Sequence, residues 1–134
     1  MSTIIRLIFA IAALVALAPV AWGQARATPV EIAQLPRFCW AQYVPDATGD
    51  DFRIRDCGPG ANHYCPGLVA MIRARSQANK SAKLGLLGNA DAEVRYTEKA
   101  IADYPKCSIR EHVADTRAAI NNLLTMYGSR HRAQ

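Results

Sequence analysis

The chain lacks any run in which polar and apolar residues alternate over strand length between turn signals, and this excludes a β-rich fold. It has no Cys-x-x-Cys, so nothing supports a thioredoxin-type exchange site. No glycine loop of the phosphate-cradling kind occurs, and no nucleic-acid recognition motif is present. Cysteine is scarce, four in 134 residues, and the even count leaves no thiol over to act as a nucleophile beside a histidine. Acidic residues are missing from Cys57 to Ala90, a window that holds Arg73, Arg75, Lys80 and Lys83. Past the N-terminal segment no run approaches the roughly 20 apolar residues that span a bilayer.

What stands at the start is a secretory pattern. Arg6 supplies a short positive region, Leu7 to Ala18 are uninterruptedly apolar, and Pro19 breaks the helix. Ala21-Trp22-Gly23 places small residues at the two positions a signal peptidase inspects, with Ala25-Arg26-Ala27 as a second option. The apolar core is too short to span a membrane. The expectation is a signal peptide over 1–23, a mature chain beginning near Gln24, and a periplasmic or secreted location.

Export reads directly onto the cysteines. Cys39, Cys57, Cys65 and Cys107 imply two disulfides in an oxidising compartment, with three connectivities open. Two crosslinks of about 2–4 kcal/mol each are a large share of the stability of so short a domain. The formal net charge of +5 falls to +4 when Arg6 is removed with the signal. A basic surface attracts anionic headgroups, acidic glycans or an acidic partner, although a solvated helix end beside a basic loop is the simpler reading.

The apolar spacing predicts an all-α fold. Residues 24–61 form an irregular arm, with one helical turn opening at Thr28-Pro29 and a short helix over Pro36 to Val44 that carries Phe38, Cys39 and Trp40 inward. Asn62 caps a helix starting at His63 and running to Ser76 or Gln77, with Cys65, Leu68, Val69 and Ile72 on one face. Asn79-Lys80-Ser81 reads as a polar linker. The next helix starts between Ser81 and Asn89, follows Leu84, Leu87, Ala90, Val94, Thr97, Ile101 and Tyr104, and is stopped by Pro105. Ser108-Ile109-Arg110-Glu111 is a capping box for a last helix along Ile109, Val113, Thr116, Ile120, Leu123, Leu124 and Tyr127, which Gly128 ends. The helical domain is 62–128 and a flexible tail follows over 129–134. Short connections favour antiparallel neighbours, which brings the start of the 63-helix near Cys107 and lets Cys57 or Cys65 pair with it.

Two stretches carry a resemblance. Thr97-Glu98-Lys99-Ala100-Ile101-Ala102-Asp103-Tyr104-Pro105 resembles the second helix of a tetratricopeptide repeat (TPR), with Ala100 as the small residue of close helix contact and Pro105 as terminator. His63-Tyr64-Cys65-x-Gly67-Leu68, followed by Arg73-Ala74, is similar to a block in exported bacterial proteins with such repeats, where a cysteine with an aromatic neighbour lies upstream, as Cys39-Trp40 does here. One repeat-like unit fits, within 62–127, and solenoids take about three to stand alone. The resemblance implies a non-catalytic interaction module, either a disulfide-closed TPR-like helical miniature or a piece that docks onto something larger. It also pairs the upstream cysteine with that of the block, which puts Cys39 with Cys65 and Cys57 with Cys107; the runner-up is Cys39 with Cys57 and Cys65 with Cys107.

Candidate chemistry gathers around residues 57–65. Cys57, His63, Cys65, Cys107 and His112 are suitable zinc or copper ligands, but their spacings match no tight ligand pair. His63 can act as a general base only if the fold brings Glu111 or Asp115 to it; the simpler expectation is a helix-start histidine bonded to nearby backbone. The aromatics Phe38, Trp40, Tyr43, Tyr64, Tyr96, Tyr104 and Tyr127 are core by spacing. Trp40 and Tyr43 beside Arg73 and Arg75 would make a partner-binding patch if exposed. The expected function is protein–protein interaction in the cell envelope with no metal, cofactor or catalytic residue. The partner is another envelope or secreted protein, nucleic acid is disfavoured by export, and membrane-surface contact is open through the basic residues. The alternative is a small secreted enzyme or metal-binding protein centred on His63 and the cysteines.

Overall fold

The computed structural model describes residues 26–128. The expected signal peptide over 1–23 and the expected flexible tail over 129–134 therefore lie outside the described residues. Among the described residues there are four α-helices: α1 Pro29–Gln34, α2 Tyr64–Ser76, α3 Lys80–Ala100 and α4 Arg110–Gly128. Three 3-10 turns, Arg37–Gln42, Asp50–Phe52 and Ala61–His63, occupy the stretch before α2. There is no strand among the described residues. None of their helices is long and apolar enough to cross a membrane.

Residues 26–63 form helix only where side chains complete it. Thr28 Oγ1 accepts from the Glu31 N–H at 3.3 Å while the Glu31 carboxylate accepts from the Thr28 N–H at 2.7 Å, a capping box around α1. The segment expected to be helical over 36–44 is a tighter 3-10 turn that buries Cys39 and leaves Phe38 and Trp40 half-buried. The Trp40 indole N–H donates to the Leu35 carbonyl at 3.1 Å.

Helix α2 enters by a 3-10 turn, and Asn62 does not cap it. Asn62 lies inside that turn, its carbonyl accepting from Gln42 Nε2 at 3.1 Å, and no side chain caps the helix. Pro66 costs little in the first turn because an N–H there has no partner in the helix. The buried face is wider than the expected stripe: Tyr64, Gly67, Met71 and Ala74 join Cys65, Leu68 and Val69, while Ile72 stays half-exposed. Gly67 lies against α3, and a Cβ on it would stand 3.1 Å from both Glu93 Cβ and Val94 Cγ2. That position sets how closely the two helices approach.

Helix α3 starts earlier than its glycines suggest. Asn79 Oδ1 accepts from the Ala82 N–H at 2.9 Å, so 79–81 is a capped helix start and not a linker. Gly85 and Gly88 are tolerated because the buried Leu87, Ala90, Val94 and Thr97 anchor the helix regardless. Its end is also early, at Ala100. A helix through Pro105 would lose one backbone bond and drive the proline ring into the Ile101 carbonyl, so regular winding ceases before the proline itself. Arg110 ties down the turn that follows, its Nη2 lying 2.6, 3.1 and 2.9 Å from the carbonyl oxygens of Ile101, Ala102 and Tyr104.

Helix α4 begins at Arg110, later than a capping box headed by Ser108 requires. Ser108 is used elsewhere: its Oγ accepts from the Arg55 N–H and its own N–H donates to the Arg55 carbonyl, both at 3.0 Å. Val113, Thr116 and Ile120 are buried as the stripe predicts, with Leu123, Leu124 and Tyr127 partly covered. Tyr64 joins α2 to α4 through the core, its hydroxyl 2.7 Å from Thr116 Oγ1 and 3.1 Å from the His112 carbonyl. Each fully buried Val, Leu or Ile contributes about 1.5–3 kcal/mol, so Val94, Ile101, Ile109, Val113 and Ile120 are the main apolar term.

Both disulfides cross from the arm to the helices. Cys39 pairs with Cys65 in α2, across 26 positions of sequence, and Cys57 pairs with Cys107 in the α3–α4 connection, across 50.

Candidate functional site

His63 stands at the turn that opens α2, with its ring 4.4 Å by centroid from Tyr96 of α3. Its Nδ1 lies 2.7 Å from Glu93 Oε2, and the histidine side chain is 43% exposed. The carboxylate partner is Glu93, not Glu111 or Asp115, and the bond is to a side chain, not to nearby backbone. A carboxylate on one ring nitrogen orients the imidazole and leaves its other nitrogen for a second partner. Tyr96 and Tyr104, both expected in the core, are 53% and 38% exposed; Tyr96 covers His63 and Tyr104 covers Gly58. Gly58 has φ +67°, and a Cβ there would overlap the Tyr104 ring, so the left-handed backbone and the close ring both call for glycine.

The cysteines are spent. Cys57, Cys65 and Cys107 are all disulfide-bonded, which removes the thiolates a soft metal site around His63 would need. Among the described residues no group of three His, Cys, Asp or Glu side chains is placed to hold a metal ion.

A groove of about 950 Å³ runs between residues 41–45, the middle of α2 and the middle of α3. Val69, Ala70, Leu86 and Ala92 give it apolar lining, Tyr43 and Pro45 flank them, and Arg26, Arg73 and Glu93 add charge. Of the four candidate partner residues, Tyr43 and Arg73 meet here, whereas Trp40 and Arg75 are not among the lining residues. Trp40 leans toward Phe52, ring centroids 6.2 Å apart, and the Arg75 guanidinium turns back to Met71 Sδ at 3.9 Å. Burial pushes the Tyr43 hydroxyl above its usual pKa.

Arg73 is fixed by α1. Its Nε and Nη2 donate to the two Glu31 oxygens at 2.6 and 3.1 Å, and Nη2 also reaches the Arg26 carbonyl at 3.4 Å. This forked contact holds the Glu31 carboxyl down from 4.5 to about 2 and raises Arg73 in turn. The pair went unread in the sequence because 42 positions separate its members. One signal was available: Thr28-Pro29-Val30-Glu31 has the capping-box form, which places Glu31 at the start of a helix. A second groove, about 840 Å³, lies between Phe38, Phe52, Ile54, residues 57–60 and residues 103–106, with Cys57 in its wall.

Compared with protein-family models, curated proteins and solved structures, the chain matches none.

Proposed function

We propose that the chain is an exported, non-catalytic helical module that binds another protein of the cell envelope, built as an antiparallel, TPR-like hairpin plus a C-terminal helix. The observation that carries this reading is the 950 Å³ groove, where Tyr43 and an Arg73 already oriented by Glu31 border a floor of Val69, Ala70 and Leu86. An aromatic and an oriented arginine around an apolar floor are the composition of a binding hot spot. Pre-fixing Arg73 lowers the ordering cost a partner would otherwise bear. The secretory pattern and two disulfides support the compartment.

The test is photo-crosslinking in the producing cell from positions 43 and 70, with position 122 on the exposed side of α4 as control. One discrete adduct from 43 and 70, weakened by Arg73→Gln and absent from 122, is the expected result. No adduct, or the same adducts from all three positions, would overturn the groove. N-terminal sequencing of exported protein should begin at Gln24.

The His63–Glu93 contact supports a second reading, in which the exposed imidazole is a general base oriented by Glu93. Hydrolysis across an ester and amide panel that disappears in both His63→Ala and Glu93→Gln would replace the first reading with this one.

A further inference from the structure

Charge is unevenly distributed over the helices. No acidic residue occurs from Cys57 to Ala90, and none follows Asp115. These two acid-free stretches meet: residues 77–79 join the end of α2 to the start of α3, and Lys83 Nζ of α3 lies 4.5 Å from the Tyr127 ring centroid near the end of α4. Elsewhere cations and carboxylates are interleaved. Arg117 pairs with Asp91 and Glu98, and Arg95 with Asp91. Arg53, Arg55, Lys99 and Lys106 stand in a sequence that also holds Asp50, Asp51, Asp56 and Asp103.

The acid-free end carries Arg75, Lys80 and Lys83. Glu31 is held by Arg73 on α2, so that pair adds no net charge. Among the cations lie half-buried Leu84, Leu123, Leu124 and Tyr127, with Met126 43% exposed. From Gly128 the sequence continues Ser129-Arg130-His131-Arg132-Ala133-Gln134, adding two arginines and no carboxylate.

We propose that this end of the helical part docks on the surface of an anionic phospholipid bilayer. In this arrangement Arg75, Lys80 and Lys83 meet headgroups, and Met126 with its leucine neighbours enters the interface. A field of one sign draws the protein to an oppositely charged surface, and each Lys or Arg near such a bilayer raises partitioning about five-fold. Cations surrounding part-exposed apolar side chains are the composition of an interfacial contact. Neither groove is lined by Arg75, Lys80, Lys83, Met126 or Tyr127, so a broad, flat partner suits this surface better than a peptide ligand. The surface is separate from the groove assigned to a protein partner, and the two readings stand or fall independently.

Vesicle sedimentation of the chain from Gln24, the form expected once the signal segment is removed, tests this, comparing phosphatidylcholine with mixtures containing about a third phosphatidylglycerol. Binding to anionic vesicles should exceed binding to neutral ones by at least about a hundred-fold and weaken steeply with salt. The triple variant Arg75→Gln, Lys80→Gln, Lys83→Gln should lose on the order of a hundred-fold. Arg53→Gln, Lys99→Gln, Lys106→Gln should change binding by less than about two-fold. If the first triple fails to keep its circular dichroism, Met126→Asp carries the test, with several-fold loss expected. Equal binding to both vesicles, or equal loss from the two triples, overturns the proposal. Binding to soluble poly-glutamate but not to vesicles overturns it in favour of an acidic protein.

Discussion

Residues 26–63 and residues 64–128 keep their shapes by different means. The helical part buries continuous apolar stripes, from Leu68 and Val69 through Leu87, Ala90 and Val94 to Ile109, Val113 and Ile120. The arm buries little beyond Leu35, Cys39, Cys57 and Ala61. It is held instead by discrete links: the Thr28–Glu31 box, Glu31 on Arg73, the paired Arg55 and Ser108, and two disulfides. A segment without a stripe cannot offset its own chain entropy by burial. Its order depends on crosslinks to a part that can.

Removing the crosslinks should have the largest effect. The chain-entropy relation assigns about 4 kcal/mol to Cys57–Cys107 and about 3.5 kcal/mol to the shorter Cys39–Cys65 loop. Urea unfolding of Cys57→Ala/Cys107→Ala and Cys39→Ala/Cys65→Ala checks those values. Hydrogen exchange after full reduction should show 37–63 losing protection while α3 retains more. Loss of both in step would abolish the distinction between the regions. Cys39 and Cys65 are fully buried, whereas Cys57 borders the 840 Å³ groove. Graded reductant with thiol trapping should therefore open Cys57–Cys107 first.

Ile120→Ala probes the other mechanism. It should cost about 3 kcal/mol as a buried cavity, with both disulfides still formed by mass. A loss below about 1 kcal/mol would mean that the stripe is not the main support of α4.

The arm's ion pair makes a smaller, pH-dependent contribution. Glu31 has a lowered pKa in the folded chain, about 2 against 4.5, so its stabilisation is complete above pH 4.5 and lost as pH falls toward 2. Solvent screening of this partly exposed pair reduces the effect to about 1 kcal/mol. Stability of the native chain between pH 6 and pH 3 should fall more than that of Glu31→Gln, as read by thermal midpoints. Parallel curves would remove the pair from the links that hold the arm.

The smallest effect has the opposite sign. Gly85 and Gly88 have open space at their Cβ positions inside α3, so Gly→Ala at either should stabilise by about 0.5–1 kcal/mol. Gly67→Ala meets Glu93 and Val94 and should lose that gain, a contrast readable from thermal midpoints.

The same division separates what was legible beforehand from what was not. Leu87, Ala90, Val94, Thr97, Val113, Thr116 and Ile120 were identified as core from spacing alone and are buried. The two expected caps failed, because Asn62 lies inside the 3-10 turn ahead of α2 and Ser108 spends its hydroxyl on Arg55. Tyr104 continued the stripe on paper, but the helix ends at Ala100 and turns it toward Gly58. The cysteine pairing implied by resemblance is the one present, whereas the even count left three and the expected helix packing put either Cys57 or Cys65 with Cys107.

Helical periodicity and the even cysteine count determined that this chain is all-α and twice crosslinked, because both are local or countable properties. The partners of Glu31, His63 and Ser108 were decided only by tertiary structure. Each lies 30 or more positions from its contact, and a single side chain meeting another at that separation leaves no periodic trace. The stripes dictate which faces must be covered, and the packing of those faces then selects which polar groups are left within reach of one another.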